Sequence, residues 1–183
     1  MTATLKTTPH APPARALPEP PALLPPTESY PWPSAPLDSE RLRRYLATCY
    51  ACGVGYVLGA KAHALLSVPP DYHNIDCSGW ARAAIAVATG GRTILPDGSV
   101  CQNDWCAAHG LKRSDYRSSR LLDGLTRISF IRASRLHTVG HVYLVQNGRT
   151  LESWGGHGPG SRPIGVHVLS EETTDTYVLA LRG

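Results

Sequence analysis

The sequence contains no apolar run long enough to cross a membrane, which argues against an integral membrane protein. It also lacks a continuous apolar stretch near its start. Prolines interrupt every candidate after Lys6, so no secretory signal peptide is expected. There is no internal repeat. No basic stripe interleaved with aromatics occurs, which speaks against a nucleic-acid partner. Charged residues make up 17% of the chain, with a formal net charge of +4. None of that excess comes from residues 1–37, where Lys6 and Arg15 balance Glu19 and Glu28. The charge on the remainder suits either attraction to anionic surfaces or an ordinary, mildly basic exterior. The 183 residues leave room for one well-cored domain and not for two.

Proline is unevenly spread. Eleven of the 16 prolines lie in residues 1–37, a stretch that cannot form helix or sheet interior. An extended, polyproline-like arm is expected there, serving as a linker or as a docking arm on a partner. The folded domain is expected over 38–183. Asp38 or Ser39 can cap a first helix whose Leu42, Tyr45, Leu46, Cys49 and Cys52 recur at helical spacing. Residues 76–80 open a second, alanine-rich helix that stops at Gly90-Gly91. A short third helix is expected over 102–109, and 111–125 is ambiguous. Strands are expected over 127–133, 140–146, 149–154, 164–169 and 176–181. Helices followed by an antiparallel sheet make an α+β domain.

Cys77 falls in the first turn of the second helix. A nucleophilic thiol must be ionised near neutral pH, must sit near an imidazole, and must lie where N–H groups can hold an oxyanion. A helix N-terminus favours the thiolate and offers the free N–H groups of that turn, with Ser78 and Gly79 in the expected oxyanion region. Gly79 is expected to leave room for substrate close to the backbone.

The imidazole comes from the strand bearing His141. Asn147-Gly148 is a strong signal for a two-residue hairpin turn. With that turn Gln146 faces Arg149, Val145 faces Thr150, Tyr143 faces Glu152, and His141 faces Trp154. Those last four side chains then share one face. Glu152 lies diagonal to His141, roughly 7–8 Å away at the backbone. It can hold the ring nitrogen that does not face the thiol, which is the orienting role in a catalytic triad. A three-residue turn would bring Ser153 to that face instead.

Three segments together carry a family resemblance. They are Gly53-Val54-Gly55-Tyr56-Val57-Leu58-Gly59, then Asp76-Cys77-Ser78-Gly79-Trp80, then Gly140-His141-Val142 with a hairpin ending in Leu151-Glu152-Ser153. Over roughly residues 38–183 the chain resembles the NlpC family of cell-wall cysteine peptidases. The resemblance implies a papain-like fold and hydrolysis of amide bonds in peptidoglycan stem peptides, often next to D-glutamate. By matching position it implies Cys77 as nucleophile, His141 as base and Tyr56 beside the thiol. The chain departs from the family in a longer stretch from Gly59 to Asp76 and in a Gly-rich loop from Gly155 to Arg162. The third position, usually histidine, is here Glu152, and His157 in that loop is an alternative third member.

Other residues admit plainer readings. Cys49-x-x-Cys52 and Cys101-x4-Cys106 fit buried thiols, disulfides or a structural zinc site. Cys77 is the odd cysteine left over. His73 is near the nucleophile in sequence and is either a cleft residue or a surface one. Trp80 suits the core, and Trp154 suits either the core or the mouth of the site. Residues 155–160 precede no helix, so they do not form a phosphate loop. No metal or cofactor is assigned.

Three functions fit this pattern. The first is a peptidoglycan amidase or endopeptidase brought to the wall by a phage particle, an injection system or lysis. Its Pro-rich residues 1–37 would then dock on the delivery machine. The second is acyl transfer or deamidation of a different substrate at the same site. The third is a structural particle protein with an inactive hydrolase domain.

Overall fold

Asp38 starts the first helix. Its carboxylate accepts the N–H groups of Glu40 and Arg41, both at 2.9 Å, and α1 runs Ser39–Ala51. The computed structural model describes residues 37–64, 66–133, 139–166 and 174–179. The Pro-rich arm, apart from the buried Leu37, therefore lies outside the described residues. Leu42, Tyr45, Leu46 and Cys49 form the buried face of α1 as their spacing predicts, while Cys52 is its half-buried C-cap.

The second helix, α2, spans Cys77–Ala88, and every residue in it except Arg82 is buried. A helix apolar on all sides belongs inside a domain, and its alanines let neighbours approach closely. Trp80, fully buried, fills the space beside it. Helix α3 spans Ser99–Ala108, beginning earlier than the expected 102–109. The ambiguous segment contains a 3-10 turn at Tyr116–Arg120.

The strands are β1 (Thr126–Ile131), β2 (His141–Gln146), β3 (Arg149–Trp154), β4 (Gly158–Pro163) and β5 (Thr174–Leu179). Among the described residues they form one antiparallel sheet in the order β4-β3-β2-β1-β5. The domain is thus α+β, with three α-helices and this sheet among the described residues. Ile128, Phe130, Val142, Leu144, Leu151, Tyr177 and Leu179 join the helices in the main core. Ile131, Tyr143, Val145 and Ile164 form a smaller apolar cluster.

Two expectations about the sheet are corrected. Residues 164–166 form a 3-10 turn, not the start of a strand at 164–169, and the remainder of that stretch lies outside the described residues. The expected Gly-rich loop instead supplies β4. Its Gly-Pro-Gly-Ser-Arg-Pro composition reads as a loop, yet among the described residues β4 is one of the two edge strands. There a proline's missing N–H need not interrupt a ladder on both sides. The ladder runs from Arg149–Pro163 to Trp154–Gly158.

Gly158 is the contact that seats this strand. Its φ is +78°, and a Cβ there would strike the carbonyl oxygen of Val54. Gly158→Ala is expected to cost about 2 kcal/mol or more, through backbone strain and collision. Gly155, with open space around it, should tolerate alanine. Urea unfolding of the two variants compares them directly, and equal midpoints would contradict this account.

Candidate active site

Four pieces of backbone converge on one thiol: the first turn of α2, the start of β2, the middle of β3, and the loop carrying Tyr56. The loop is stitched in place by backbone bonds. Gly55 N–H donates to His73 O at 2.8 Å, and Ile75 N–H donates to Gly55 O at 3.0 Å. His73 contributes that carbonyl while its side chain stays exposed. On the far side, Ser153 Oγ donates to Ile75 O at 2.7 Å, tying β3 to the residue just before the α2 cap.

Cys77 is buried at the start of α2. Burial pushes its pKa up. The hydrogen bond to His141, the charge of that ring and the Val142 N–H pull it down further, so the thiol ends below its ordinary value against an opposing push from Asp76. His141 shows the complementary change. Burial lowers its pKa, but bonds to Cys77 and Glu152 outweigh that and raise it to about 9. Both shifts run in the direction that favours a thiolate beside an imidazolium.

The expected hairpin register is present. Asn147 and Gly148 both have positive φ, at 49° and 70°, as a type I′ turn requires. Gln146 pairs with Arg149, Val145 with Thr150 and Leu144 with Leu151. Continuing that alternation carries His141 and Glu152 to one face, and His141 Nε2 lies 2.6 Å from Glu152 Oε2. The other ring nitrogen, Nδ1, is the one left for the thiol. Glu152 is fully buried, and its Oε1 accepts from Arg162 Nε at 2.9 Å.

Arg162 was not foreseen, because the segment that became β4 reads as a loop. Its guanidinium lies 4.6 Å from the centroid of the Trp154 ring. Trp154 folds over Gly160, where a Cβ would lie 2.6 Å from the ring. The exposed His157 lies tilted against the same tryptophan, with ring centroids 5.3 Å apart. Glu152, not His157, holds the far nitrogen of His141, and Trp154 roofs Arg162.

Tyr56 is half-buried with its hydroxyl bonded to Cys77. Burial first, then the charges of Cys77 and Asp76, push its pKa up to about 12. It therefore stays a phenol, with its O–H available to the Cys77 sulfur. The expected space over Gly79 is corrected. A Cβ there would lie 2.8 Å from Lys61 Cδ and 2.9 Å from Ala60 O, so the glycine admits this loop and not substrate. Gly79 N–H is taken by Asp76 Oδ1 at 2.7 Å. That leaves the N–H groups of Cys77 and Ser78 in the first turn for an oxyanion. The Ser78 hydroxyl turns away, bonded to Asp76 and Lys61, each at 3.0 Å.

All five cysteines are free thiols. Cys49 and Cys106 are buried, Cys52 is half-buried and Cys101 exposed. Among the described residues no three His, Cys, Asp or Glu side chains gather as a metal site would require. No known protein family and no curated protein matches the chain.

Two measurements follow from this geometry. Iodoacetamide should alkylate Cys77 with a pH midpoint below that of an ordinary thiol. His141→Ala should push the midpoint above it, because burial then outweighs the Val142 N–H that remains; an unchanged midpoint would break the assigned pairing. Separately, Arg162→Met strips a partner from a buried carboxylate and should cost roughly 3 kcal/mol. Arg149→Met, which loses exposed bonds to Ser161, should cost far less in the same urea titration.

Proposed function

We propose that the protein is a cysteine hydrolase of the papain-like NlpC type that cleaves amide bonds in peptidoglycan stem peptides. One observation carries the reaction class: a thiol at a helix N-terminus, bonded to an imidazole whose far nitrogen rests on a buried carboxylate. The substrate class rests on the sequence motifs around Cys77, His141 and Tyr56. No helix among the described residues is long and apolar enough to cross a membrane. Delivery to the wall by a particle, an injection system or lysis, with residues 1–37 as the docking arm, belongs to the same proposal.

In this mechanism the Cys77 thiolate attacks the amide carbonyl carbon and forms a C–S bond. The carbonyl electrons move to oxygen, where the N–H groups of Cys77 and Ser78 receive them. His141 gives its proton to the leaving nitrogen as the C–N bond breaks. The neutral imidazole then takes a proton from water, the hydroxide attacks the thioester, and the acid leaves with Cys77 again a thiolate. Glu152 keeps Nδ1 of His141 on the reacting side throughout and stabilises the imidazolium. Tyr56 steadies the thiolate.

Purified muropeptides should be cleaved by the wild type and left intact by Cys77→Ala, read by mass spectrometry of the fragments. Equal cleavage by both, or by neither, rejects the assignment. The pH profile of kcat/KM should be bell-shaped. Its acid limb follows formation of the thiolate, and its alkaline limb falls near pH 9, where His141 loses its proton. Glu152→Gln removes a charge that raises the His141 pKa, so the alkaline limb should move to lower pH.

A further inference from the structure

Lys61 lies in a loop that no sequence pattern marked, yet it touches the turn that carries the nucleophile. Its ammonium group bonds to Asp76 Oδ2, lies 3.0 Å from Ser78 Oγ, and lies 3.4 Å from Asp97 Oδ1. Its aliphatic stem covers Gly79. Asp76 is buried, and besides Lys61 its carboxylate accepts from Gly59 N–H at 3.0 Å, Gly79 N–H at 2.7 Å and Ser78 Oγ at 3.0 Å. The cap of the catalytic helix is thus an anion adjacent to a residue that must itself be an anion.

Two like charges in one buried turn oppose each other, and a cation on the first relieves the second. We propose that Lys61 is a positioning residue for the reaction: it offsets the Asp76 charge and fixes the Asp76–Ser78 turn, so that the cap holds the helix while opposing the Cys77 thiolate less. Asp97 anchors the ammonium group from the segment before α3. The inference rests on Cys77 being a reactive thiolate, and extends that reading to a residue outside the triad.

The groups that set the thiolate are few. His141 and the Val142 N–H face Cys77 from β2, with Glu152 behind the imidazole; Tyr56 faces it from the preceding loop; Asp76 faces it from its own helix cap. Lys61 acts through Asp76. The Asp76 charge opposes the thiolate, so removing the cation must raise the energy of the ionised thiol. A merely structural lysine would change stability without moving the titration.

The test is the pH midpoint of iodoacetamide alkylation of Cys77 in the full chain. Lys61→Met should raise the midpoint by about one pH unit, making alkylation about tenfold slower on the acid side. Lys61→Arg should restore the wild-type midpoint. Lys61→Met combined with Asp76→Asn, which keeps a capping side chain and removes both charges, should return close to wild type. Lys61→Gln keeps polar contacts without the charge, and must shift the midpoint in the same direction even if Lys61→Met does not fold. A depressed wild-type midpoint that neither Lys61→Gln nor Lys61→Met moves overturns the inference alone. So does a double variant that stays shifted, since the effect then does not run through Asp76. A wild-type midpoint at the ordinary thiol value removes the hydrolase reading, and this inference with it.

Discussion

A fully buried carboxylate is the constraint on which the site depends. Removing a charge from water is expensive unless it is paired and bonded on every side. Glu152 has no exposure to solvent, so each of its oxygens needs a donor: His141 takes one and Arg162 the other. The demand runs both ways. His141 is held in one orientation because Glu152 has to be satisfied, and β4, paired to β3 along its length, carries Arg162 to it. The imidazole's other nitrogen is given to Cys77, and the hairpin turns it toward α2.

The helix end of the site answers the same problem differently. Cys77 and Asp76 sit side by side in a turn whose dipole welcomes one negative charge. Lys61 supplies compensation from a loop, whereas Arg162 supplies it to Glu152 from a strand. Two cations therefore flank the Cys77–His141 pair, each bound to a buried carboxylate and each acting through it.

Much of this arrangement was legible before any coordinates. The α1 cap at Asp38, the placement of Cys77 in the first turn of α2 and the Asn147-Gly148 register all follow from local rules, because each depends on residues close in sequence. The same register brought Glu152 to His141, since a period of two leaves little freedom once the turn is known. Arg162 and Lys61 were not legible. Arg162 sits in a segment of glycine and proline whose strand character comes from pairing with β3 and not from propensity. Lys61 sits in a stretch without periodicity, and its partner is fifteen residues away. The close packing of that loop on Gly79 is likewise a tertiary fact, so a glycine that read as open space proved to be filled.

The place of β4 in the sheet has a kinetic meaning. An outermost strand rich in glycine is where native proteins fray first, at a free energy below that of global unfolding. Arg162 travels with that strand, and so does the glycine on which Trp154 rests. Each fraying event would strip Glu152 of one partner while α1, α2 and the central strands remain folded. The fraction of molecules with a correctly held imidazole is then governed by the edge of the sheet rather than by its core. Amide hydrogen exchange in β4, not the melting temperature, is the quantity that should track it.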